Sequence, residues 1–478
     1  MMSKKISRRS VVNGGLSMAA LSTLPVPNLA MAASEEDRII AAAKATKGTD
    51  LKGMIWSNYY VAMKPTNAPF KQGAGYDVGS IQDISVFSIP QRAMAEAVTR
   101  SPEFDFFHLD SNMIPSLASA GLLEPLDPYM EKAGFKLDAV GNFGNFMKYK
   151  GKTYGIVTDG NVHVHMCRKD MMSDPEEQKK FEDKYGKKMA YPETWEDDQR
   201  LMEFFHRPDQ GIWASGNLRN RPNGVTWWYM YFYSAGGFPF DDDMNPTLNT
   251  PAGNYAVETY LNLKKVSHPE APGWGTPQMI PRIAGGKIFA CQYWDGAIGL
   301  NENPKKSKTA GKYQYGVVPG SDFSGKRIHR SISSPIAAIL VNRYSKNKER
   351  AAYMAMWWAT SKNSTRIVGD NVNTFHDPWH VDHFKSDYVY QTYKAGLPAI
   401  NKCLQVAAPP IYLTGLLEFQ DQLAKNLSEA YVGQRKAKDV LPETEKAWRK
   451  IVRKIGRKKL KAELASYKAV FPTVNVPS

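Results

Sequence analysis

Residues 104–121 read FDFFHLDSNMIPSLASAG, and this stretch decides the fold. Its first six residues carry four large apolar side chains, which predicts a buried strand. Ser111-Asn112 then predicts the start of a helix, because short polar side chains are favoured at the first position of a helix. Gly121 predicts the end of that helix, since glycine readily adopts the left-handed backbone found there. The stretch is therefore a strand followed by a helix, the unit from which α/β folds are built.

The chain upstream repeats this order of elements. Residues 51–56 and 76–81 predict strands, and residues 90–99 predict a helix with Pro90 in its first turn. Strands that alternate with helices are typical of a parallel sheet covered by helices. We therefore expect an α/β fold in this part of the chain.

The rest of the chain is helix-rich in the middle and α/β again further on. The predicted elements are a hairpin at 149–156, strands at 162–166, 287–292 and 332–341, a helical segment at 195–265, and helices at 351–358, 416–431 and 442–466. A chain that leaves an α/β region and later returns to it indicates two lobes, with more than one crossing between them.

The first 32 residues have the pattern of a twin-arginine (Tat) export signal. Arg8-Arg9 precedes a short, broken apolar stretch, and Ala30-Met31-Ala32 supplies the small residues that a signal peptidase recognises. No Asp or Glu occurs before Glu35. We expect cleavage after Ala32 and export of the folded protein to the periplasm by the Tat translocase. This location argues against cytoplasmic metabolism and against nucleic-acid binding.

The chain is basic, with a formal net charge of +15. Four of these charges lie in the leader, which leaves +11 on the exported part. Many of the remaining cations lie on the last predicted helices: Lys446, Arg449, Lys450, Arg453, Lys454, Arg457, Lys458, Lys459 and Lys461. Their spacing of three or four residues places most of them along one helix side, opposite apolar residues such as Trp448. Two interpretations stay open, a solvated helix face and attraction to anionic lipid headgroups.

The cysteines and the known motifs predict no cofactor. Cys167, Cys291 and Cys403 are far apart and odd in number, so we expect buried thiols rather than a disulfide framework. The sequence contains no HExxH motif, no phosphate-binding loop and no nucleophile elbow. We expect no catalytic residues and no bound metal.

Two groups of histidines keep a metal site open as an alternative. One group has the i, i+4, i+7 spacing of a helix face, and the other shares one face of a strand: His376, His380 and His383, then His163 and His165. Pro378 lies inside the first group and limits a helix there. Two ligands alone do not complete a site in the second group.

Several segments, taken in order, resemble the family 1 extracellular solute-binding proteins of bacterial ABC importers, the maltose- and multiple-sugar-binding type. The segments are FDFF at 104–107, ASAGLLEPLD at 118–127, YKGKTYGI at 149–156, RKD at 168–170, YPETW at 191–195, GKIFA at 286–290, YWD at 293–295, YGVVPG at 315–320 and GQ at 433–434. Their order and spacing cover nearly the whole exported chain.

The resemblance implies a two-lobed periplasmic-binding-protein fold of type II, with mixed and parallel sheets flanked by helices and a hinge of several crossovers. It places lobe 1 at residues 34–157 with a return segment at 335–395, and lobe 2 at 158–334 with C-terminal helices at 396–478. It implies a monomeric, non-enzymatic protein that binds a carbohydrate between its lobes and delivers it to the permease subunits of an importer. The ligand class it leaves open includes sugars, oligosaccharides and polyols.

The resemblance also places the ligand site at the loops that follow the strands. Sugars suit such a site because their apolar faces stack on aromatic rings and their hydroxyls pair with Asp and Asn. The candidate ligand-binding residues are Trp56, Asn58, Tyr59, Asp110, Ser111, Asn112, Asp159, Asn161, Asn223, Thr226, Trp227, Trp294, Asp295 and Tyr412.

Each candidate has a structural alternative. Trp56 and Trp227 are equally suited to a hydrophobic core, and Asp159 is suited to capping a turn with Gly160. Trp294 is the strongest candidate, because Trp294-Asp295 directly follows a predicted buried strand. For the whole chain, a Tat-exported metal-dependent hydrolase or glycoside hydrolase is the alternative function, since export in the folded state suits enzymes that load a cofactor first.

Overall fold

A computed structural model describes residues 33–84, 88–334, 336–370 and 376–478. The predicted leader at 1–32 lies outside the described residues. Residues 35–478 form one unit, to which everything below refers. Within the described residues, no helix combines the length and the apolar character that a membrane crossing requires.

Two sheets organise the unit. The strands are β1 (Leu51–Met54), β2 (Val78–Gln82), β3 (Phe106–Asp110), β4 (Lys148–Tyr149), β5 (Lys152–Thr153), β6 (Gly155–Val157), β7 (His163–Arg168), β8 (Trp213–Ser215), β9 (Ile288–Trp294), β10 (Tyr313–Gly316), β11 (Gly320–Ser321), β12 (Ile328–His329), β13 (Ser331–Ile332), β14 (Ala337–Val341) and β15 (Ala407–Ala408). The larger sheet has the order β2-β1-β3-β14-β6, and the smaller sheet has the order β10-β7-β9-β8.

Both sheets are mixed. In the larger sheet β1 is parallel to β2 and β3, whereas β14 is antiparallel to β3 and β6. In the smaller sheet β8 and β9 are parallel, and β7 is antiparallel to both β9 and β10. The near-continuous apolar run of β14 fits its position inside the larger sheet, where all five of its residues are buried.

Helices cover the sheets and fill the C-terminal part. They are α1 (Glu35–Lys44), α2 (Ser57–Met63), α3 (Asn67–Ala74), α4 (Ile89–Thr99), α5 (Ile114–Ser119), α6 (Asp127–Ala133), α7 (Lys169–Met172), α8 (Pro175–Tyr185), α9 (Trp195–Phe204), α10 (Arg221–Ser234), α11 (Pro251–Asn262), α12 (Thr276–Ala284), α13 (Gly296–Asn301), α14 (Lys348–Ala359), α15 (Ser361–Gly369), α16 (Asp387–Tyr393), α17 (Gly396–Gln405), α18 (Leu416–Val432), α19 (Val440–Ile455), α20 (Arg457–Lys461) and α21 (Leu464–Ala469).

The chain crosses between the sheets several times, as the sequence predicts. It passes from β6 of the larger sheet to β7 of the smaller one through residues 158–162, and it returns between β13 and β14. It then passes from α15 to α17, which packs on β10 and β7 of the smaller sheet. The α/β fold with mixed sheets and several crossovers is confirmed. The lobe bounds remain a prediction; the larger-sheet strands lie within 51–157 and 337–341.

Two predicted helices differ from those in the structure. Asp110, rather than Ser111-Asn112, caps the helical segment after β3, because its carboxylate accepts the Asn112 backbone N–H at 3.0 Å. The helix predicted at 442–466 is divided at Gly456, whose φ of 103° ends α19 and starts α20. A residue with a side chain is strained at that φ, so glycine permits the break.

The three cysteines are buried free thiols, as expected. In the C-terminal part, α18 packs on α10 and α19. Trp448 of α19 is fully buried there, with its ring stacked on Phe240 at a centroid distance of 5.1 Å. The apolar side of α19 therefore faces inward and its cationic side faces out.

Candidate ligand-binding cleft

The ends of strands from both sheets meet at one place. β3 ends at Asp110, which pairs in register with Ala337 at the start of β14. β6 ends at Val157 and leads into the crossing segment, and β9 of the smaller sheet ends at Trp294. In α/β proteins, ligands bind in crevices formed by the loops at strand ends. A binding crevice can therefore form at this meeting point.

A cavity of about 440 Å³ opens at this meeting point. It is lined by residues from both sheets and from three helices, α4, α10 and α18: Pro90, Gln91, Asp110, Met113, Pro222, Asn223, Val225, Thr226, Trp294, Ser334, Leu416, Leu417, Gln420, Asp421 and Ala424. None of these lining residues is Lys, Arg or His. The volume lies within the range of about 300–1,000 Å³ that is usual for small-molecule sites.

Asp110 and Trp294 are held on the same residue, Ser334. The Ser334 hydroxyl donates to Asp110 Oδ2 at 3.1 Å, and the Trp294 indole N–H donates to the Ser334 carbonyl at 2.8 Å. Asp110 Oδ1 accepts the backbone N–H groups of Asn112 and Ile336 at 3.0 and 3.1 Å. These bonds fix the carboxyl and the ring, and both line the cavity.

Asp110 is the cavity's uncompensated charge. Burial raises the pKa of its carboxyl to about 6, although its three donors act in the opposite direction. Asp421 also lines the cavity, but Arg221 bridges both of its oxygens at 2.8 and 2.9 Å. The cavity is therefore weakly anionic, and its other lining residues are neutral, some of them polar and most of them apolar.

The Trp294 ring is half-buried and braced from behind. Its centroid lies 4.8 Å from that of His163 and 5.9 Å from that of Trp227. Trp227 is fully buried and donates its indole N–H to the Gln292 carbonyl at 3.1 Å. Trp294 thus presents a rigid aromatic surface to the cavity, whereas Trp227 supports it from the core.

Behind the cavity wall, three buried carboxyl groups lie close together: Asp159, Asp295 and Asp377. Asp159 accepts the Tyr59 hydroxyl at 3.2 Å and the Asp377 backbone N–H at 2.6 Å. Asp295 accepts the Val162 backbone N–H at 2.9 Å. Burial, and then the negative charge of Asp377, raise the pKa of both Asp159 and Asp295 well above the usual range. These groups join segments from both sheets and are closed off from solvent.

The structure brings four predicted site residues into the cavity: Asp110, Asn223, Thr226 and Trp294. Ten others do not line it. Six of these are buried behind or beside it, namely Ser111, Asn112, Asp159, Asn161, Trp227 and Asp295, and Tyr59 is buried on the Asp159 side. Tyr412 is fully buried and donates to the Phe146 and Lys148 carbonyls at 2.9 Å. Trp56 is half-buried directly before α2, and Asn58 is exposed in the first turn of α2.

Sequence reasoning missed the wall that α18 contributes. Leu417, Gln420, Asp421 and Ala424 recur at helical spacing and line the cavity together. This spacing predicts one helix face, but it does not say what the face contacts. Ser334 was also missed, because it acts through its backbone carbonyl as well as its hydroxyl.

Internal hydrogen bonds engage ring nitrogens of His163, His165, His380 and His383. No α-helix spans residues 376–383, so the face that the spacing predicts does not form. His383 Nδ1 accepts the His380 backbone N–H at 3.3 Å, and its Nε2 bonds the Ser364 hydroxyl at 2.9 Å. His165 bonds Tyr191 and Asp198 at 2.7 and 2.9 Å. Among the described residues, no group of three or more His, Cys, Asp or Glu side chains is arranged to hold a metal ion.

The bacterial extracellular solute-binding protein family model matches residues 88–364, more than half of the chain. This chain belongs to that family. The resemblance drawn from the sequence is therefore confirmed. The match covers the smaller sheet and strands β3, β6 and β14 of the larger one, but not β1, β2 or the cavity wall formed by α18.

Known relatives agree with the assignment. A probable amino-acid ABC transporter periplasmic-binding protein, y4oP of Sinorhizobium fredii, is 23% identical over 371 residues, which cover 73% of this chain and 78% of the relative. A solute-binding protein of Agrobacterium radiobacter K84 in complex with ribitol matches with a TM-score of 0.71 and 17% identity, over 85% of this chain and 99% of that one. Maltose-bound MalE3 of T. maritima matches with a TM-score of 0.70 and 15% identity, over 84% of this chain and 100% of MalE3.

These structural matches establish the two-lobed fold of periplasmic binding proteins for the solute-binding protein described here. The family and these relatives are binding proteins of ABC transporters, which favours a transport role over the hydrolase alternative.

Proposed function

We propose that this solute-binding protein binds a neutral carbohydrate or polyol in the cleft and delivers it to the permease of an ABC importer. The observation that carries the proposal is the Trp294 ring, which is braced by Trp227 and His163 and lines a cavity that also carries neutral polar side chains. The apolar face of a sugar ring stacks on such a surface, while its hydroxyls bond to the polar groups around it.

The remaining cavity side chains supply the hydrogen bonds that a sugar needs. Asn223, Thr226, Gln91 and Gln420 offer both donors and acceptors, and Asp110 offers acceptors for hydroxyl groups. The fixed position of Asp110 favours ligand binding. Its three donors already hold the carboxyl in place, so little side-chain entropy is lost when a ligand binds to it.

The lining argues against two other ligand classes. An acidic sugar and the carboxylate of an amino acid are both held most strongly by a cationic side chain, and none of the described lining residues supplies one. Asp110 would in addition repel an anion. We therefore propose a neutral ligand, although the relative from S. fredii is named for amino acids.

Delivery requires a change between open and closed forms. We propose that lobe 1 (34–157 and 335–395) and lobe 2 (158–334 and 396–478) close on the ligand, which contacts Asp110 on one side and Trp294 on the other. A ligand must favour the closed form by about 5 kcal/mol to convert a mostly open population into a mostly closed one. We place this cycle in the periplasm, as the twin-arginine leader and the extracellular family indicate.

Titration calorimetry with ribitol, maltose, a uronic acid and an amino-acid panel tests the proposal. We expect binding of a neutral compound, and at least a tenfold loss of affinity in Trp294→Ala. Trp213→Ala is the matched control, because Trp213 is also a half-buried tryptophan of the smaller sheet but does not line the cavity. Equal affinity in Trp294→Ala and wild type would remove the ring from the site, and binding of amino acids alone would overturn the ligand class.

A further inference from the structure

The C-terminal helices carry an unusual concentration of positive charge. The basic face comprises the exposed cations of α19 and α20: Lys446, Arg449, Lys450, Arg453, Lys454, Arg457, Lys458, Lys459 and Lys461. Residues 440–461 contain only two acidic residues, Glu443 and Glu445, so this stretch has a net charge of +7. Most of the +11 on the exported chain is therefore placed on one surface.

Internal ion pairs account for only part of this charge. Arg449 pairs with Glu445 at 2.6 Å, Lys454 with Glu418 at 2.9 Å and Lys461 with Asp243 at 2.7 Å. Arg457 bonds to Asn245 and to the Asp243 carbonyl. Within the described part of the chain, five cations of the face have no ion pair: Lys446, Lys450, Arg453, Lys458 and Lys459.

The face is purely electrostatic. The apolar residues of the same helices point inward, with Trp448, Val452 and Leu460 fully buried. No large apolar side chain in residues 440–461 is exposed. Protein–protein interfaces depend on buried aromatic and aliphatic anchors, whereas binding to lipid headgroups needs only clustered cations near the surface.

The basic face lies beside the ligand cleft. A groove of about 680 Å³ runs between α18 and α19, and Lys446, Lys450 and Lys454 line it together with Asp421. Asp421 also lines the ligand cavity, so α18 separates the two. If the protein is bound to a surface through its basic face, its ligand cleft therefore lies close to that surface.

We propose that the basic face docks on anionic phospholipid headgroups of the membrane surface. Each Lys or Arg close to an anionic membrane adds favourable electrostatic energy, and added salt screens it. Headgroup contact confines the protein to a layer next to the membrane, where a permease would collect its solute. This inference goes beyond ligand binding and does not depend on which ligand the cleft takes.

Vesicle sedimentation tests the docking surface. The purified protein without its leader is mixed with vesicles of phosphatidylcholine, with or without 30% phosphatidylglycerol, at low and high salt. We expect binding only to the anionic vesicles, and its loss at high salt. Replacing three unpaired cations, in Lys446→Gln/Lys450→Gln/Arg453→Gln, is expected to weaken binding roughly a hundredfold.

The matched control removes the same charge elsewhere. Lys47→Gln/Lys64→Gln/Lys71→Gln changes three exposed lysines that flank β1 of the larger sheet in sequence and lie outside the basic face. We expect it to bind anionic vesicles like wild type, and both triple variants to keep the wild-type melting temperature. An equal loss of vesicle binding in the two triple variants would show that binding depends only on net charge. That result would overturn the proposal of a specific docking face. Failure of the wild type to bind anionic vesicles at low salt would also overturn it.

Discussion

Replacing Asp110 with asparagine is expected to stabilise the protein, and to do so only above acidic pH. In the folded protein burial raises the pKa of Asp110 to about 6, from an ordinary value of 3.8. The folded state therefore holds this proton more tightly than the unfolded chain. The stability that the protonated carboxyl provides is complete below about pH 4 and is lost as the pH rises through about 6.

The size of the effect follows from the shift. A pKa that is higher by about two corresponds to about 3 kcal/mol of folding free energy lost when the carboxyl is ionised. Partial solvent exposure of Asp110 reduces this loss to roughly 1–2 kcal/mol. Asparagine keeps the geometry, because its Oδ1 accepts the Asn112 and Ile336 N–H groups and its amide can donate to the Ser334 hydroxyl. For a chain of this length, 1–2 kcal/mol raises the melting temperature by about 1–2 °C.

Calorimetric melting without ligand at pH 4, 6 and 8 measures this difference. We expect Asp110→Asn to match wild type at pH 4 and to melt about 1–2 °C higher at pH 8. Asp421→Asn is the control, since that carboxylate also lines the cavity but is exposed and bridged by Arg221, and it should show no gain. A gain that is the same at pH 4 and pH 8, or absent at pH 8, would refute the reasoning.

Two further changes test the core and the histidines. Trp448→Ala should lower the free energy of unfolding by about 3–5 kcal/mol in urea, because it removes a buried ring that stacks on Phe240 and donates to the Phe419 carbonyl. Arg453→Ala, on the exposed side of the same helix, should change it by less than about 0.5 kcal/mol. Dialysis against EDTA should leave the melting temperature unchanged, since His383 already uses both ring nitrogens in internal hydrogen bonds. A rise in melting temperature on adding zinc, lost in His383→Ala, would contradict this.

Most local elements and the family were predictable from the sequence alone. The apolar runs around residues 104–109 and 287–292 formed buried strands, because burial on both faces of a sheet favours continuous apolar sequence. Trp294 was identifiable because it ends such a strand. The inward side of α19 was also readable, since helical spacing separates Trp448 from the cations around it.

Which distant segments meet was not predictable from the sequence and depends on tertiary packing. The pairing of β3 with β14 brings Ser334 to Asp110, and the packing of α18 on α10 brings Gln420 and Asp421 to the same cavity. Tertiary packing likewise placed Trp227 and Tyr412 in the core rather than in the cavity, although their residue types suit either place. Local propensity cannot specify these outcomes, because they depend on how whole faces fit across separations of a hundred residues and more.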